Sequence, residues 1–423
     1  MSIQNSNKEL VIGLFGFGVV GGSLYKVLND TPGLNARIKK VCIRNADKER
    51  DAPATLFTTD AAAILDDESI NVVVELTSDA DAAYRIISTA LSRGKAVVTA
   101  GKSTVAAHLP EFIALQRQYG VPLLYEAACC ASIPVIRNLE EYYDNDLLRC
   151  VRGIVNGSTN YVLTRMSRDG VSFSDALKEA QQAGFAEANP ALDITGADAA
   201  NKLAILLTHA YGTTVQPGQI LYTGITNLHA ADVAYGRQKG YDVKLVAESG
   251  KMDDGRVAAF VLPAFVPHDS RLHGVANEYN GVEIESSLAD KQFFYGKGAG
   301  GFPTASAVLS DLSALRYDYR YEYRKLQPEG TVHVSADYYI RVCISCNGLL
   351  QVRHSEFARI DEWVSNNQRC HISGIIHAGR LAETDWWRQE GISLIAYPEC
   401  IEQYGPEPVS AESGWVHEDV YAD

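Results

Sequence analysis

The sequence predicts an α/β protein, and its first 130 or so residues supply the observations that predict it. Short apolar runs rich in β-branched residues recur at 10–15, 38–43, 72–76, 95–99 and 122–125. Glycines and helix-like stretches, such as 82–93, separate these runs. Strands that are apolar on both faces and alternate with helices are typical of a parallel sheet covered on both sides.

The pattern changes near residue 150. Amphipathic helices are predicted at 172–184 and 197–211, and strands follow at 243–249 and 257–266. This order indicates an α+β unit with a mixed or antiparallel sheet. A helix predicted at 305–315 comes next, and the charged, tyrosine-rich stretch 316–330 is typical of a linker. A small third unit is predicted from strands near 338–344, 370–377 and 392–397.

Composition narrows the possible functions. The chain has 423 residues and a formal net charge of -14, which repels nucleic-acid phosphates and anionic lipids, so we expect neither as a partner. No segment approaches the roughly 18 apolar residues of a membrane span, and the polar start lacks the apolar core of a secretory signal. The dispersed cysteines indicate reduced thiols without a zinc site, so we expect a cytoplasmic protein.

A glycine-rich loop joins the first predicted strand to the first helix. It has the GxGxxG pattern, formed by Gly16, Phe17, Gly18, Val19, Val20 and Gly21. In such a loop the first glycine makes the turn, the second admits a pyrophosphate, and the third packs the helix on the strand. The position after a strand and before a helix favours a Rossmann dinucleotide-binding domain over a plain glycine turn.

The end of the second strand bears on the type of dinucleotide. An NAD site usually places an acidic residue there, to bind the ribose 2′-hydroxyl. This chain instead has Arg44, with Lys48 and Arg50 nearby, and its first acidic residue is Asp47. A cation suits a 2′-phosphate, which favours NADP or use of both cofactors. A solvated strand end is the alternative interpretation of Arg44.

The densest chemistry lies between residues 156 and 202. Asp198 and Lys202 are four residues apart on one helix face, a spacing that is usual for a surface ion pair. The residues after Lys202 are apolar, however, and Glu187 and Asp193 precede the pair in a proline-containing loop. A buried lysine can donate a proton to a developing alkoxide, and surplus carboxylates can bind an ammonium group. These residues alone leave both interpretations open.

Four segments together resemble the homoserine dehydrogenase family. They are GFGVVG at 16–21, NGSTNY at 156–161, EANPALDITGADAANKL at 187–203 and GKGAGGFPTASAVLSD at 296–311. They occur in family order over about residues 10–320. The resemblance implies an enzyme that interconverts L-aspartate 4-semialdehyde and L-homoserine with NADP or NAD, in the biosynthesis of threonine, methionine and isoleucine.

The resemblance also implies roles for individual residues. Lys202 would exchange the proton at the substrate C4 oxygen and Asp198 would orient it. Lys102, otherwise a surface lysine, would lie where cofactor and substrate meet, although Gly101 stands where the family commonly has Asn. The implied substrate-binding residues are Gly157, Ser158, Glu187 and Asp193. The implied cofactor-binding residues, besides the glycine loop and Arg44, are Thr77, Thr99 and Gly298.

Residues 126–132 resemble the monovalent-cation loop of the same family. Glu126 and the main-chain carbonyls of Cys129, Ala131 and Ile133 would then hold sodium or potassium, ions that prefer oxygen ligands. A core turn without an ion is the alternative. The NGST segment, likewise, could simply cap the helix that follows it.

Three domains are predicted. Residues 1–150, completed by about 296–320, form the dinucleotide-binding domain, and 151–295 form a substrate-binding and dimerisation domain. Residues 331–423 form a small α+β domain whose first strand, near 338–341, resembles an ACT regulatory domain. That likeness decays at 345–349. By resemblance, the chain is expected to form a homodimer or homotetramer.

Two other functions remain open at this point. A phosphorylating semialdehyde dehydrogenase would need a thiolate, for which Cys129 and Cys130 are the candidates, and a histidine base. A non-catalytic nucleotide sensor would use the Rossmann domain without turnover. Lys202 and Glu187 would have no role in either case.

Overall fold

The computed structural model describes residues 9–145, 147–326, 332–347, 352–365 and 369–406. Within these ranges, two β-sheets organise the chain. The N-terminal sheet has six parallel strands in the order β3-β2-β1-β4-β5-β6. The strands are β1 (Leu10–Phe15), β2 (Ala36–Cys42), β3 (Phe57–Thr58), β4 (Val72–Glu75), β5 (Ala96–Thr99) and β6 (Leu123–Leu124). This strand order is that of the Rossmann fold, so the predicted fold class is confirmed.

Helices cover both faces of this sheet. β1 and β4 are buried along their whole length because of that cover. The helices of this part are α1 (Val19–Asp30), α2 (Ala62–Leu65), α3 (Ala80–Ser92), α4 (Lys102–Tyr119) and α5 (Val135–Glu141). A helix that begins at Gly301, later in the chain, packs on α1. The two helices approach closely, because a Cβ added to Gly301 would lie 2.9 Å from a side-chain carbon of Val19.

The second sheet is mixed. Across the described residues, its main path has the order β12-β11-β7-β9-β10-β16-β13-β15-β14, with β8 paired to β10. Its strands are β7 (Leu148–Ile154), β8 (Leu221–Tyr222), β9 (Tyr241–Lys251), β10 (Val257–Pro267), β11 (Tyr279–Ser286), β12 (Asp290–Lys297), β13 (Tyr339–Cys346), β14 (Phe357–Ser365), β15 (Cys370–His377) and β16 (Ser393–Glu402). The last four strands continue the sheet of the preceding segment through β16 on β10.

The remaining helices pack on this second sheet or connect it to the first. They are α6 (Gly157–Asp169), α7 (Phe173–Gln182), α8 (Ala191–Ile194), α9 (Ala197–Tyr211), α10 (Ala230–Gln238), α11 (Gly301–Leu315) and α12 (Ala378–Glu383). Helix α9 is buried from Asp198 to Tyr211 apart from Asn201. None of the described helices combines the length and the apolar character needed to cross a bilayer.

The predicted linker at 316–330 is wrong for its described part, 316–326. Tyr321 and Tyr323 are buried, and the Tyr323 main-chain N–H donates to Glu140 Oε1 at 2.7 Å. The Tyr323 hydroxyl also accepts a hydrogen bond from Gln116 Nε2 at 3.1 Å. The Tyr321 and Tyr323 rings therefore lie in the core beside β6 instead of spanning solvent, and the Tyr323 hydroxyl has the hydrogen-bond partners that a buried tyrosine needs.

The domain limits predicted from the sequence remain predictions, as does the ACT-like character of the C-terminal segment. Residues 348–349 of the decaying ACT match and 407–423 of that segment lie outside the described residues. Trp386 and Trp387 are buried within the fold, in line with a packing role for the pair.

Candidate active site

A cavity of about 480 Å³ opens beside the carboxyl ends of β4 and β5 and reaches the start of α6 and the first turns of α9. Ligands of open α/β sheets bind at this edge. The predicted site residues that line the cavity are Val20, Thr77, Lys102, Ala131, Gly157, Ser158, Glu187, Asp193, Asp198, Lys202 and Gly298. The other predicted site residues lie outside the lining: Gly16, Phe17, Gly18, Val19, Gly21, Arg44, Thr99, Glu126, Cys129 and Ile133.

Two lysines share one buried carboxylate in this cavity. Lys202 Nζ is 2.8 Å from Asp198 Oδ2, and Lys102 Nζ is 2.7 Å from Asp198 Oδ1. Asp198 is 2% exposed and Lys202 is 6% exposed, so the pair is not the surface pair that its spacing alone would suggest. The three groups together carry a net positive charge, the kind of environment that can stabilise a developing alkoxide.

The charge of Lys202 is maintained by its neighbours. Burial lowers the pKa of an ammonium group, but the Asp198 carboxylate outweighs this effect, and the pKa of Lys202 lies above its ordinary value. Lys202 Nζ also donates to the carbonyl oxygen of Val155 at 2.6 Å. Lys202 is therefore protonated at neutral pH and can serve as a proton donor.

Asn156 connects the carboxylates of the site and was not among the predicted residues. Its side-chain oxygen accepts from the Thr159 main-chain N–H at 2.8 Å, which caps α6. Its amide nitrogen donates to Asp193 at 2.7 Å and to Asp198 at 2.8 Å. The capping role considered from the sequence is thus correct, and the same side chain also positions two acids of the cavity.

The predicted substrate-binding residues frame one wall of the cavity. Gly157 lies close to the main chain of Glu278, because a Cβ on Gly157 would be 2.5 Å from the carbonyl oxygen of that residue. The Ser158 hydroxyl donates to the carbonyl oxygen of Phe185 at 2.7 Å. Glu187 is exposed and Asp193 is half-buried, so both carboxylates can reach a ligand from the solvent side.

The glycine loop has the geometry that its sequence predicts. Gly16 has φ of +92°, and a Cβ there would lie 2.6 Å from the carbonyl oxygen of Leu76. A Cβ on Gly21 would lie 2.4 Å from the carbonyl oxygen of Gly16, so this residue lets α1 pack on the turn. Gly18, by contrast, has nothing within 4 Å of its Cβ position. Open space at the second glycine leaves room for a pyrophosphate.

Glu75, another residue that the sequence analysis missed, organises the loops after β4 and β5. Its carboxylate accepts from the Thr77 N–H and hydroxyl, both at 2.6 Å, and from the Thr99 hydroxyl, also at 2.6 Å. Burial raises the pKa of Glu75, and the hydrogen bonds from the two threonines oppose this effect. Thr99 therefore acts beneath the cavity wall, through Glu75, while Thr77 lines the cavity itself.

Arg44 lies two residues beyond the end of β2. It is exposed and forms an ion pair with Asp79 at 3.2 Å, and Asp79 also caps α3. Arg50 lies near the ring of Phe57, 5.3 Å from its centroid, and Phe57 packs edge-on against Phe17. Two arginines thus lie near this end of the strand, and the acidic residues there are Asp79 and, in the loop after the strand, Asp47, Glu49 and Asp51.

The predicted cation loop is buried and tightly turned. Cys130 and Ala131 have φ of 56° and 42°, values that non-glycine residues adopt only where the surroundings impose them. Both oxygens of the Glu126 carboxylate accept main-chain N–H groups of α5, from Ile136 at 2.9 Å and Arg137 at 2.8 Å. Burial and the nearby Asp311 raise the pKa of Glu126 to about 8.

A Rossmann sheet with a GxGxxG turn, opening onto a buried lysine and several carboxylates, defines a nicotinamide-dependent dehydrogenase. Family models agree. The homoserine dehydrogenase NAD-binding domain matches residues 16–126, and the homoserine dehydrogenase domain matches residues 134–313.

Known proteins identify the family. Homoserine dehydrogenase of Bacillus subtilis is 34% identical over 322 residues, which cover 74% of each chain, and that of Synechocystis is 37% identical over 311 residues, covering 71% of this chain and 72% of the other. The solved homoserine dehydrogenase of Thiobacillus denitrificans superposes with a TM-score of 0.80 at 29% identity, over 92% of this chain and 98% of the other. The chain belongs to the homoserine dehydrogenase family, and the resemblance is confirmed.

Proposed function

We propose that this homoserine dehydrogenase uses Lys202 as its proton donor and Asp198 as the residue that keeps Lys202 charged. The single observation that carries the proposal is the buried Lys202–Asp198–Lys102 group at the cavity wall. The nicotinamide, when bound, supplies the hydride that reduces the aldehyde carbon of L-aspartate 4-semialdehyde. Lys202 stabilises the negative charge on the aldehyde oxygen and protonates it to give the hydroxyl of L-homoserine. Lys102 adds a second positive charge beside the same oxygen.

The cavity is suited to a zwitterionic amino acid. Glu187 and Asp193 also line the cavity, and their charge is opposite in sign to that of the lysines. We assign these two carboxylates to the substrate ammonium group. Gly157 and Ser158, at the N-terminus of α6, offer main-chain N–H groups and a positive helix end to the carboxylate. This division places the ammonium and carboxylate groups of the substrate on different parts of the wall.

The loop Gly16–Gly21 and Gly298 are assigned to the dinucleotide, and NADP is proposed as its preferred form. Arg44, just after the end of β2, can bind a 2′-phosphate once Asp79 releases it, and the sequence has no acidic residue at that position to bind the 2′-hydroxyl of NAD.

We further propose that a sodium or potassium ion is held by main-chain carbonyls of Cys129, Ala131 and Ile133. Glu126, whose pKa burial and Asp311 raise to about 8, would contribute negative charge there only once it loses its proton, while its oxygens remain bonded to α5. We propose a cytoplasmic homodimer or homotetramer.

The thiol-based alternative is disfavoured by the state of the cysteines. Cys129 and Cys130 are buried, and burial raises the pKa of both, that of Cys130 to about 11. A nucleophilic cysteine needs a lowered pKa to be a thiolate at neutral pH. These two residues are therefore thiols, and they serve as core side chains beside Lys202.

Lys202→Ala tests the proton donor, since its kcat should fall while its affinity for NADPH stays nearly unchanged. A second experiment tests the cofactor proposal and measures the reduction of L-aspartate 4-semialdehyde with NADPH and with NADH by three proteins. These are the wild type, Arg44→Ala and Arg37→Ala, which removes an exposed arginine within β2, the strand that Arg44 follows. Arg44→Ala should raise the KM for NADPH by about tenfold or more, because a charged contact to phosphate is lost. Its KM for NADH and both KM values of Arg37→Ala should change little. An equal rise in the KM for NADH would show that Arg44 does not recognise the 2′-phosphate.

A further inference from the structure

A second cluster of metal-binding side chains lies outside the candidate active site. Asp242, His268 and His273 each offer one ligand atom, and these atoms lie within 4.8 Å of one another. They come from the start of β9, the turn after β10 and the short 3₁₀ helix Arg271–Gly274 that follows. The pairing of Val266 with Asp242 across β9 and β10 brings the three residues together.

In this His–His–Asp cluster, the three ligand atoms lie close enough together to face a single metal ion. His273 Nδ1 lies 3.0 Å from Asp242 Oδ2. That nitrogen is buried, and apart from this ion-pair contact it makes no hydrogen bond within the described residues. Ligand atoms of one tetrahedral zinc ion lie roughly 3.4 Å apart. The His268 ring is exposed and 4.8 Å from the His273 ring, between centroids, so a side-chain rotation can complete the set.

The carboxylate of the cluster is already held in place. Ser167, in the last turn of α6, donates its hydroxyl to Asp242 Oδ1 at 2.7 Å, which leaves Oδ2 facing His273. Arg237 of α10 donates to the carbonyl oxygen of Ser167 at 2.6 Å. Hydrogen bonds of this kind to a ligand residue orient it and strengthen metal binding.

We propose that Asp242, His268 and His273 bind a divalent transition-metal ion such as Zn²⁺ or Co²⁺, with water completing the coordination. Two imidazoles and one carboxylate are a donor set for zinc or its neighbours, whereas Mg²⁺ and Ca²⁺ prefer oxygen alone. The nearby ammonium group of Lys244 opposes cation binding, so the nitrogen ligands and the Asp242 charge must supply the affinity. The sequence predicts no zinc site among the cysteines, and the proposed site uses none of them.

Such an ion would cross-link the turn after β10 to the start of β9, and through the Ser167–Asp242 hydrogen bond it would be connected to the end of α6. Ser158 lines the active-site cavity at the other end of that helix, roughly 14 Å from Ser167 along the helix axis at 1.5 Å per residue. The ion is therefore a structural one, away from the reacting atoms. Its removal should lower stability and leave the rate of semialdehyde reduction unchanged.

The test uses the tag-free, full-length protein after dialysis against EDTA, titrated with ZnCl₂ in a calorimeter and with CoCl₂ in a spectrophotometer. Matched variants are His268→Ala, which removes an exposed ligand, and His108→Ala, which removes a half-buried histidine of α4. Asp242→Asn is a second ligand variant that keeps the oxygen accepting from Ser167. All are also assayed for semialdehyde reduction, so that loss of fold is distinguished from loss of metal.

The wild type and His108→Ala should bind one zinc ion per chain and show visible cobalt absorption. His268→Ala and Asp242→Asn should bind zinc more than about tenfold more weakly, while retaining activity. Zinc binding that is equal in all four proteins would place the metal elsewhere and overturn the proposal. Absence of binding by the wild type at a large excess of zinc would overturn it as well.

Discussion

At the scale of single residues, the chemistry depends on how a buried ammonium group keeps its proton. Lys202 is 6% exposed, and burial without a partner would favour its neutral form. Asp198 prevents this, and its own pKa is held below the ordinary value by Lys202 and Lys102 in spite of burial. One carboxylate thus sets the protonation state of the residue that donates the proton.

Replacing Asp198 by Asn should move the pH profile of kcat. Reduction needs protonated Lys202, so activity falls as pH rises through the pKa of that lysine. Without Asp198, burial lowers this pKa, and the basic limb should shift to lower pH. The measurement is kcat for semialdehyde reduction from neutral to alkaline pH. Asp193→Asn, which changes a carboxylate bonded to Asn156, should leave the limb in place, and an unshifted limb in Asp198→Asn would refute the role of Asp198.

At the scale of elements, two glycines of the turn from β1 into α1 have different roles: Gly21 allows the helix to pack, and Gly18 leaves room for a ligand. The Cβ position of Gly21 is blocked by main-chain oxygen, and that of Gly18 is open. Gly18→Ala should therefore leave the unfolding temperature of the free protein nearly unchanged but weaken dinucleotide binding. Gly21→Ala should lower both, at a cost of about 1–3 kcal/mol in stability, because a Cβ there must displace backbone. Thermal unfolding and fluorescence titration with NADPH measure the two effects, and equal stabilities would contradict this account.

Much of the element pattern was predictable because β1, β4 and α9 carry strong local signals. Strand Leu10–Phe15 has the predicted limits, and α9 has the predicted span of 197–211. Helix α4 was missed, since Pro110 interrupts its interior and its apolar residues are not confined to one face. The predicted linker is wrong at 316–326 because tyrosines and charges resemble a surface linker until tertiary packing shows that the rings of Tyr321 and Tyr323 are buried.

The candidate site was less predictable than the fold. The i, i+4 spacing of Asp198 and Lys202 fits a surface pair or a buried one equally, and only tertiary packing decides. Glu75 lies within the apolar run VVVEL and gave no separate signal. Asp242 and His273 are brought together by strand pairing, which sequence spacing does not reveal.

At the scale of the whole molecule, a buried polar cluster connects the C-terminal strands to helix α10. Asp232 of α10 is fully buried and contacts Arg369 and His371 at 3.1 Å each. It also accepts hydrogen bonds from the hydroxyls of Ser345 and Ser393. Four polar groups of the C-terminal segment therefore converge on one carboxylate of the preceding helix.

Asp232→Asn should destabilise the protein by about 3–5 kcal/mol, because the buried guanidinium group of Arg369 loses this carboxylate. Burial would raise the pKa of Asp232, but His371 and Arg369 outweigh burial and lower it. A lowered folded-state pKa stabilises the protein above the unfolded value and loses that effect as pH falls. Urea unfolding from neutral to acidic pH should show a smaller acid-induced loss in the variant than in the wild type. A parallel loss would show that other carboxylates govern acid unfolding.

The most direct test of the central claim follows NADPH absorbance with L-aspartate 4-semialdehyde, for the wild type and Lys202→Ala. The wild type should oxidise NADPH, and Lys202→Ala should lose about 10²–10⁴-fold in kcat, the usual contribution of a positioned proton donor. Its dissociation constant for NADPH should be nearly unchanged. Turnover that survives in Lys202→Ala, or an equal loss of turnover and NADPH binding, would contradict Lys202 as the proton donor.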